Sequence, residues 1–161
     1  MNIYQKIAVV ILLGIFSVSL NGFAQTGTMA DHLLVLPANI KWGAGPAHFP
    51  AGMQVAVIEG DPSSNGPYVI RAKFPKKYKI MPHFHPTDEH ITVLEGTFSV
   101  GMGDKFDEAK LTKLPVGGYA DMKTGNHHFA YSKKGCVIQV HGVGPFAITY
   151  VNPADDPRNK K

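Results

Sequence analysis

The chain has 161 residues, of which 44% are hydrophobic and 17% charged, and its formal net charge is +4. That length suffices for one domain with a real core and is too short for two. The lysines are scattered and the net charge is modest, whereas a nucleic-acid-binding surface would need a denser basic stripe with interleaved aromatic residues. A single cysteine, Cys136, excludes an internal disulfide, and its apolar surroundings predict a buried structural thiol.

The N-terminal segment has the layout of a secretory signal peptide. Lys6 precedes an apolar run over residues 7–20, and the small residues Gly22 and Ala24 suit cleavage after Ala24. The run is shorter than the roughly 20 apolar residues of a membrane span, and no cysteine follows it for lipidation. We therefore predict a signal peptide over residues 1–24 and a periplasmic or secreted protein with no stable membrane anchor after cleavage. A retained anchor is the alternative.

The rest of the chain reads as an N-terminal arm, a β-domain and a tail. Proline and glycine punctuate the arm (25–50), the strand signals fall in 51–152, and the last residues (153–161) are polar. At most one helical turn is expected, within 104–111. Short strands between turn signals predict an all-β sandwich or barrel. The predicted strands are 54–58, 68–74, 78–85, 90–102, 118–122, 128–132, 136–141 and 146–151.

The stretch from residue 83 to residue 96 carries the strongest chemical signal. On an extended backbone His83, His85 and Glu89 have the same parity, so their side chains point to one face. Pro86 interrupts any β-ladder and allows a bend that brings the carboxylate back toward the imidazoles. His90, of opposite parity, is expected to face away. This pattern predicts a metal site; the competing interpretation is a solvated polar patch.

A second histidine cluster could complete such a site. His127 and His128 are neighbours, and on a strand only one of them can point inward. A fourth ligand would give three imidazoles and one carboxylate, with coordination positions left open for water or substrate. This nitrogen-rich set suits one divalent transition metal (Mn, Fe, Co, Ni, Cu or Zn) and argues against Ca or Mg.

At this point the chain resembles a small single-domain cupin. The family's first motif is Gly, five residues, His-x-His, three or four residues, Glu, six residues and Gly. The residues that match it are His83, His85, Glu89 and Gly96, with Lys77 in place of the leading Gly. The second motif is Gly, five residues, Pro-x-Gly, two residues, His, three residues and Asn. Its matches are Gly117, Gly125 and His128, with Lys123 replacing the Pro and Ser132 replacing the Asn.

The resemblance implies a jelly-roll β-barrel that holds the metal inside and frequently forms a homodimer. It makes the metal ligands His83, His85, Glu89 and His128, and it leaves His127 outside. It implies no single reaction, because this fold serves dioxygenases, decarboxylases, isomerases, lyases and ligand sensors.

The metal site itself suggests a substrate class. A divalent ion with one carboxylate ligand keeps about one positive charge in a low-dielectric cavity, which favours an anionic, chelating small molecule. Enolates, keto acids and dicarboxylates fit this description. We therefore expect a metal-dependent enzyme, either a dioxygenase or a Lewis-acid isomerase, lyase or decarboxylase. Candidate catalytic groups are His141, Tyr131 and Tyr150. The alternative is a non-enzymatic module that binds or senses a metal or small ligand in the periplasm.

Overall fold

Strands dominate the structure, a computed structural model that describes residues 32–160. The predicted signal peptide lies outside these described residues. The described part contains eight strands: β1 (Gly43–Ala44), β2 (Gln54–Glu59), β3 (Pro67–Phe84), β4 (Glu89–Met102), β5 (Thr112–Pro115), β6 (Tyr119–Met122), β7 (His128–Val143) and β8 (Thr149–Tyr150). It also contains short 3-10 helices at Pro37–Asn39, Glu108–Lys110, Pro153–Asp155 and Pro157–Asn159. The predicted all-β class is confirmed.

All eight strands belong to one antiparallel sheet. Its main order is β1-β2-β3-β7-β4-β5, while β6 pairs with β4 and β8 pairs with β3. The long strands β3, β4 and β7 therefore form the centre of the sheet. Their inward side chains enclose one apolar core and a cavity, which gives the sheet a barrel-like form.

Period-two alternation builds this core. Along β3, Tyr68, Ile70, Ala72 and Phe74 are buried at every second position. Across the barrel, the Phe74 ring stacks on Phe98 of β4 with ring centroids 5.5 Å apart. Aliphatic and aromatic side chains thus face the interior from several strands. The β-branched and aromatic runs of the sequence favour such half-buried strands.

Two of the predicted turns are interruptions within continuous strands. We expected a break around residues 75–77, but β3 continues, and its pairing with β7 runs from Lys76↔Lys134 to Tyr78↔Ser132. Lys77 lies between these pairs with φ 61°, a left-handed conformation. On β7, Gly135 has φ 93° in the segment expected to separate two strands. One residue with positive φ is accommodated as a local irregularity of the ladder, so the strand does not end.

Two further differences concern short elements. Strand β5 was not predicted, and it pairs with β4 through Thr97↔Pro115 to Val100↔Thr112. The predicted strand at 146–151 is regular only over the two residues of β8. Cys136 is buried as predicted, and burial raises the pKa of its thiol. Within residues 32–160, no helix combines the length and the apolar character that crossing a membrane requires.

Candidate metal centre

Three histidines converge inside the barrel from separate elements. His83 lies near the end of β3, His85 follows that strand, and His128 begins β7. One ring nitrogen from each lies within 4.8 Å of the other two. The ring centroids of His83 and His128 are 4.2 Å apart, and the residues are 3% and 2% exposed. The register explains the proximity, because His83 pairs directly with His128 across the β3–β7 ladder.

Backbone carbonyls determine which nitrogen of each imidazole carries the proton. The Nδ1 atoms of His83, His85 and His128 lie 2.7, 2.7 and 3.0 Å from carbonyl oxygens. A carbonyl can only accept a hydrogen bond, so each Nδ1 must donate. The accepting carbonyls belong to Met81, Ala147 and Asn126, respectively. Each Nε2 consequently presents a lone pair, which is how protein histidines are oriented to bind a metal.

Glu89 adds a carboxylate to the same space. Its Oε2 lies 3.4 Å from Nε2 of His85 and 3.8 Å from Nε2 of His128. Glu89 is 7% exposed, and Nε2 of His85 is buried without a hydrogen-bond partner. The carboxylate oxygens and the imidazole lone pairs are all electron-rich acceptors, so their convergence is unfavourable unless a cation or a proton lies between them. This donor set fits a transition metal.

Burial shifts the pKa of every member of the cluster in the direction that favours the neutral form. It lowers the pKa of His85 and His128, and it lowers that of His83 well below the ordinary histidine value, with nearby imidazoles adding to the effect. Burial also raises the pKa of Glu89 to about 7, although His128 and His90 oppose this change. Neutral imidazoles are the form that ligates metal ions. A bound cation would stabilise the ionised form of the Glu89 carboxylate, which burial disfavours.

The neighbouring histidines point away from the centre. Nδ1 of His127 is 2.6 Å from Oδ1 of Asp104, and its ring stacks on Phe84. His90 contacts the hydroxyl of Tyr119 through Nδ1 at 2.8 Å. The structure therefore brings His128, and not His127, to His83, His85 and Glu89.

A polar contact joins the two segments that carry the ligands. Asp88 accepts hydrogen bonds from the backbone N–H and the hydroxyl of Thr124, both at 2.8 Å, and Lys123 Nζ is 3.1 Å from its carboxylate. In addition, the Gly125 N–H donates to the carbonyl of His85 at 3.0 Å. Lys123, which replaces the proline of the second cupin motif, thus helps to anchor the turn before His128. We call Asp88, Lys123 and Thr124 the Asp88 clamp.

The three predicted catalytic residues do not line the cavity. Ile138 and Val140 of β7 face it, so His141 on the same strand points outward, and its ring stacks on His90 at 5.0 Å. Tyr131 likewise follows the inward-facing Ala130 and lies beside Phe106. The position of these residues gives no support to a catalytic role.

Tyr150 is buried near the centre but is engaged elsewhere. Its ring centroid is 6.1 Å from that of His83, and its hydroxyl donates to the carbonyl of His48 at 3.0 Å. Tyr150 therefore joins the N-terminal arm to β8, and its hydroxyl is not among the groups that face the cavity.

A cavity of about 330 Å³ adjoins the centre. The four candidate ligands line it together with a largely apolar wall that includes Phe49, Met53, Ile70, Phe98 and Phe146. Sequence analysis missed one titratable member, His48 of the arm, whose Nε2 is buried without a partner. Burial and the nearby Arg158 lower the pKa of His48. No motif marks this residue, because it lies in a Pro- and Gly-rich segment far from the ligands in sequence.

Comparison with known proteins identifies the fold. No protein-family model matches the sequence, and no curated protein matches it. Among solved structures, the polyketide cyclase RemF from Streptomyces resistomycificus has a TM-score of 0.60 at 17% identity, over 77% of this chain and 88% of RemF. An RmlC-like cupin from Shewanella frigidimarina has a TM-score of 0.54 at 13% identity, over 70% of this chain and 90% of that protein. KdgF from a Halomonas species has a TM-score of 0.51 at 17% identity, over 68% of this chain and 91% of KdgF.

Identities this low carry the fold and leave the reaction open. The neighbours share the overall architecture of this chain, and this chain places three histidines inside its barrel. The resemblance to small single-domain cupins that the two motifs indicate is confirmed, and the chain has the cupin fold.

Proposed function

We propose that the protein is an exported metal-dependent cupin enzyme that acts on an anionic, chelating small molecule. One observation carries the proposal: the Nε2 atoms of His83, His85 and His128 converge with the carboxylate of Glu89, and all four groups are acceptors when Glu89 is ionised. These residues would hold one divalent transition metal. The metal would supply oxygen chemistry if it is iron, or Lewis acidity if it is manganese, nickel or zinc.

The remaining residues around the cavity prepare a dry, oriented site. The apolar wall excludes water from the ligand, which strengthens electrostatic interactions near Glu89. His48 is a further titratable side chain that lines the cavity, and its buried Nε2 can exchange a hydrogen bond or a proton with a bound molecule. The carbonyl partners of the three Nδ1 atoms keep the ligand imidazoles from rotating.

A binding or sensing module is the second candidate. It is favoured by the cavity lining, where His48 is the titratable group beyond the four candidate ligands among the described residues. A binding module needs no proton-transfer group beyond its ligands, so this sparse lining is sufficient for it. The fold similarity to the polyketide cyclase RemF shows that this architecture can serve a small-molecule enzyme, but fold does not decide between the two candidates.

The first test is the metal content of protein purified through its own export route. We expect about one metal ion per chain in the wild type, loss of the metal in His85→Ala, and retention in His127→Ala. His127 is a matched control because it neighbours His128 but points to Asp104. Equal metal content in both variants would refute the site. Mass spectrometry of the same sample tests export, since cleavage after Ala24 is expected.

The second test separates enzyme from binder. The metal-loaded protein is screened by oxygen uptake and absorbance against enolates, keto acids and catechols, in parallel with calorimetry. Turnover that disappears in His85→Ala supports the enzyme. Tight binding without turnover of any compound would support the binding module instead.

A further inference from the structure

The cavity beside the metal centre is largely apolar. Beyond the four candidate ligands, the polar side chains that line it are His48 and Ser63. The hydroxyl of Ser63 already donates to Asp61 at 2.7 Å, in an exposed turn. Among the described residues that line the cavity, none is lysine or arginine. A ligand inside it therefore meets hydrocarbon everywhere except at the metal centre, at His48 and at the Ser63 hydroxyl, whose proton is already donated to Asp61.

A cation that acts on His48 is already paired. Arg158 is close enough to His48 to lower the pKa of that imidazole. Its guanidinium, however, binds Asp156 through three hydrogen bonds of 2.6 to 3.1 Å. The same carboxylate counteracts the effect of Arg158 on His48. Arg158 consequently offers little to a second negative charge on a ligand.

The charge of the metal centre also limits the charge of the ligand. A divalent ion held with the one carboxylate of Glu89 keeps about one positive charge, which a single anionic head can neutralise. A second carboxylate at the far end of the ligand would be buried against hydrocarbon without a partner, which costs several kcal/mol. The volume of about 330 Å³ corresponds to about ten non-hydrogen atoms if each takes the roughly 30 Å³ of a liquid water molecule.

We propose that the natural ligand carries one chelating head on an apolar body of up to about ten non-hydrogen atoms, and that dicarboxylates and sugar acids are excluded. This inference rests on the proposed metal function and narrows its substrate class, since enolates and keto acids with hydrocarbon bodies remain and dicarboxylates do not. Residues such as Ala72, Ile70, Phe98 and Ile138 select the body by excluding water and polar groups.

Alkyl hydroxamic acids test the inference directly, because the hydroxamate chelates transition metals and the chain can be varied alone. Binding of acetohydroxamic, butanohydroxamic and hexanohydroxamic acid to the zinc-loaded protein is measured by calorimetry. We expect the affinity to rise about fourfold for each added methylene. The matched competitor is the monohydroxamate of adipic acid, in which a carboxylate replaces the terminal methyl. It should bind at least about tenfold more weakly than hexanohydroxamic acid.

Two variants localise the effect. Ala72→Leu fills part of the cavity at a buried position away from the ligands, so it should weaken hexanohydroxamic acid by about tenfold and leave acetohydroxamic acid unchanged. Lys76→Leu adds the same side chain at an exposed position of β3 and should change neither. If Ala72→Leu fails to fold, the wild-type chain-length series and the carboxylate pair decide the question alone.

The outcomes separate this inference from the function on which it rests. Failure to bind zinc, or equal hydroxamate binding by His85→Ala, would refute the metal function. If the protein binds zinc, three results would overturn the apolar-ligand inference while the metal site stands. They are a hydroxamate affinity that does not change with chain length, tighter binding of the carboxylate-ended competitor, and no binding of any hydroxamate.

Discussion

The buried carboxylate of Glu89 should affect protein stability in opposite directions in the presence and absence of metal. Burial raises its pKa from 4.5 to about 7, so the folded, metal-free protein binds this proton more tightly than the unfolded chain does. The associated stability is fully present below pH 4.5 and is lost as the pH rises through 7. Glu89→Gln keeps the size and cannot ionise. The variant should therefore be more stable than the wild type in chelator at pH 8, and less stable when metal is saturating.

The size of the effect follows from the pKa shift. A change from 4.5 to about 7 at 1.36 kcal/mol per pKa unit corresponds to about 3 kcal/mol at pH 8. No discount for solvent screening is needed, because Glu89 is 7% exposed. For a domain of this size about 3 kcal/mol is roughly 10 °C in melting temperature. At pH 4.5 and below, where the wild-type carboxyl is protonated in the folded state, the difference should nearly vanish.

The prediction is measured by urea denaturation in excess chelator at pH 4.5 and pH 8, repeated at pH 8 with saturating zinc. The control is Glu95→Gln, an exposed carboxylate on the same strand, which should change stability little under any condition. Wild type and Glu89→Gln of equal stability in chelator at pH 8 would show that Glu89 is not a desolvated charge. A variant that gains as much from zinc as the wild type would show that the carboxylate does not bind metal.

Three further predictions follow from the described contacts. The apparent metal affinity should fall about tenfold from pH 8 to pH 6, with uptake of one proton, because the pKa of Glu89 is about 7 and burial lowers the pKa of each ligand histidine; chelator competition would contradict this if it showed two protons or more. Lys77→Gly should stabilise the protein by about 1 kcal/mol in urea, since φ 61° suits glycine, whereas Lys76→Gly should destabilise it by a similar amount. Asp88→Ala removes the acceptor of the Asp88 clamp and should weaken metal binding about tenfold with all four ligands intact; unchanged affinity would mean that the clamp does not position the ligands.

Much of the fold could be predicted because alternation and turn residues report local structure. The all-β class and most strand positions followed from short apolar runs between glycines and prolines. What failed was continuity: a Pro-Lys-Lys segment looks like a turn, yet the ladder partners Lys134 and Ser132 hold β3 together around Lys77. Pairing between strands is a long-range property, and a local pattern does not contain it.

The candidate site, like the fold, was predicted only in part. Parity placed His83, His85 and Glu89 on one face, and the cupin motif selected His128 over His127; the structure brings these four together. Among the catalytic candidates, His141 was expected to face the cavity together with Gln139, two residues earlier on the strand. The structure has the opposite parity, because Ile138 and Val140 face the cavity and His141 stacks on His90. His48 could not have been found, since only the tertiary path of the arm brings it to the cavity.

The same alternation that predicts a core cannot by itself distinguish a packed barrel from a hollow one. Inward positions are apolar in both cases, and the circumference of a barrel is set by strand number and stagger rather than by side-chain size. The interior stays open where small residues such as Ala72 and Ala130 occupy inward positions along the cavity. Enlarging Ala72 should therefore convert cavity into core, so a variant that loses long ligands should also keep or gain stability while it keeps its metal. A loss of metal together with the long ligands would instead mean that the wall and the centre are mechanically coupled.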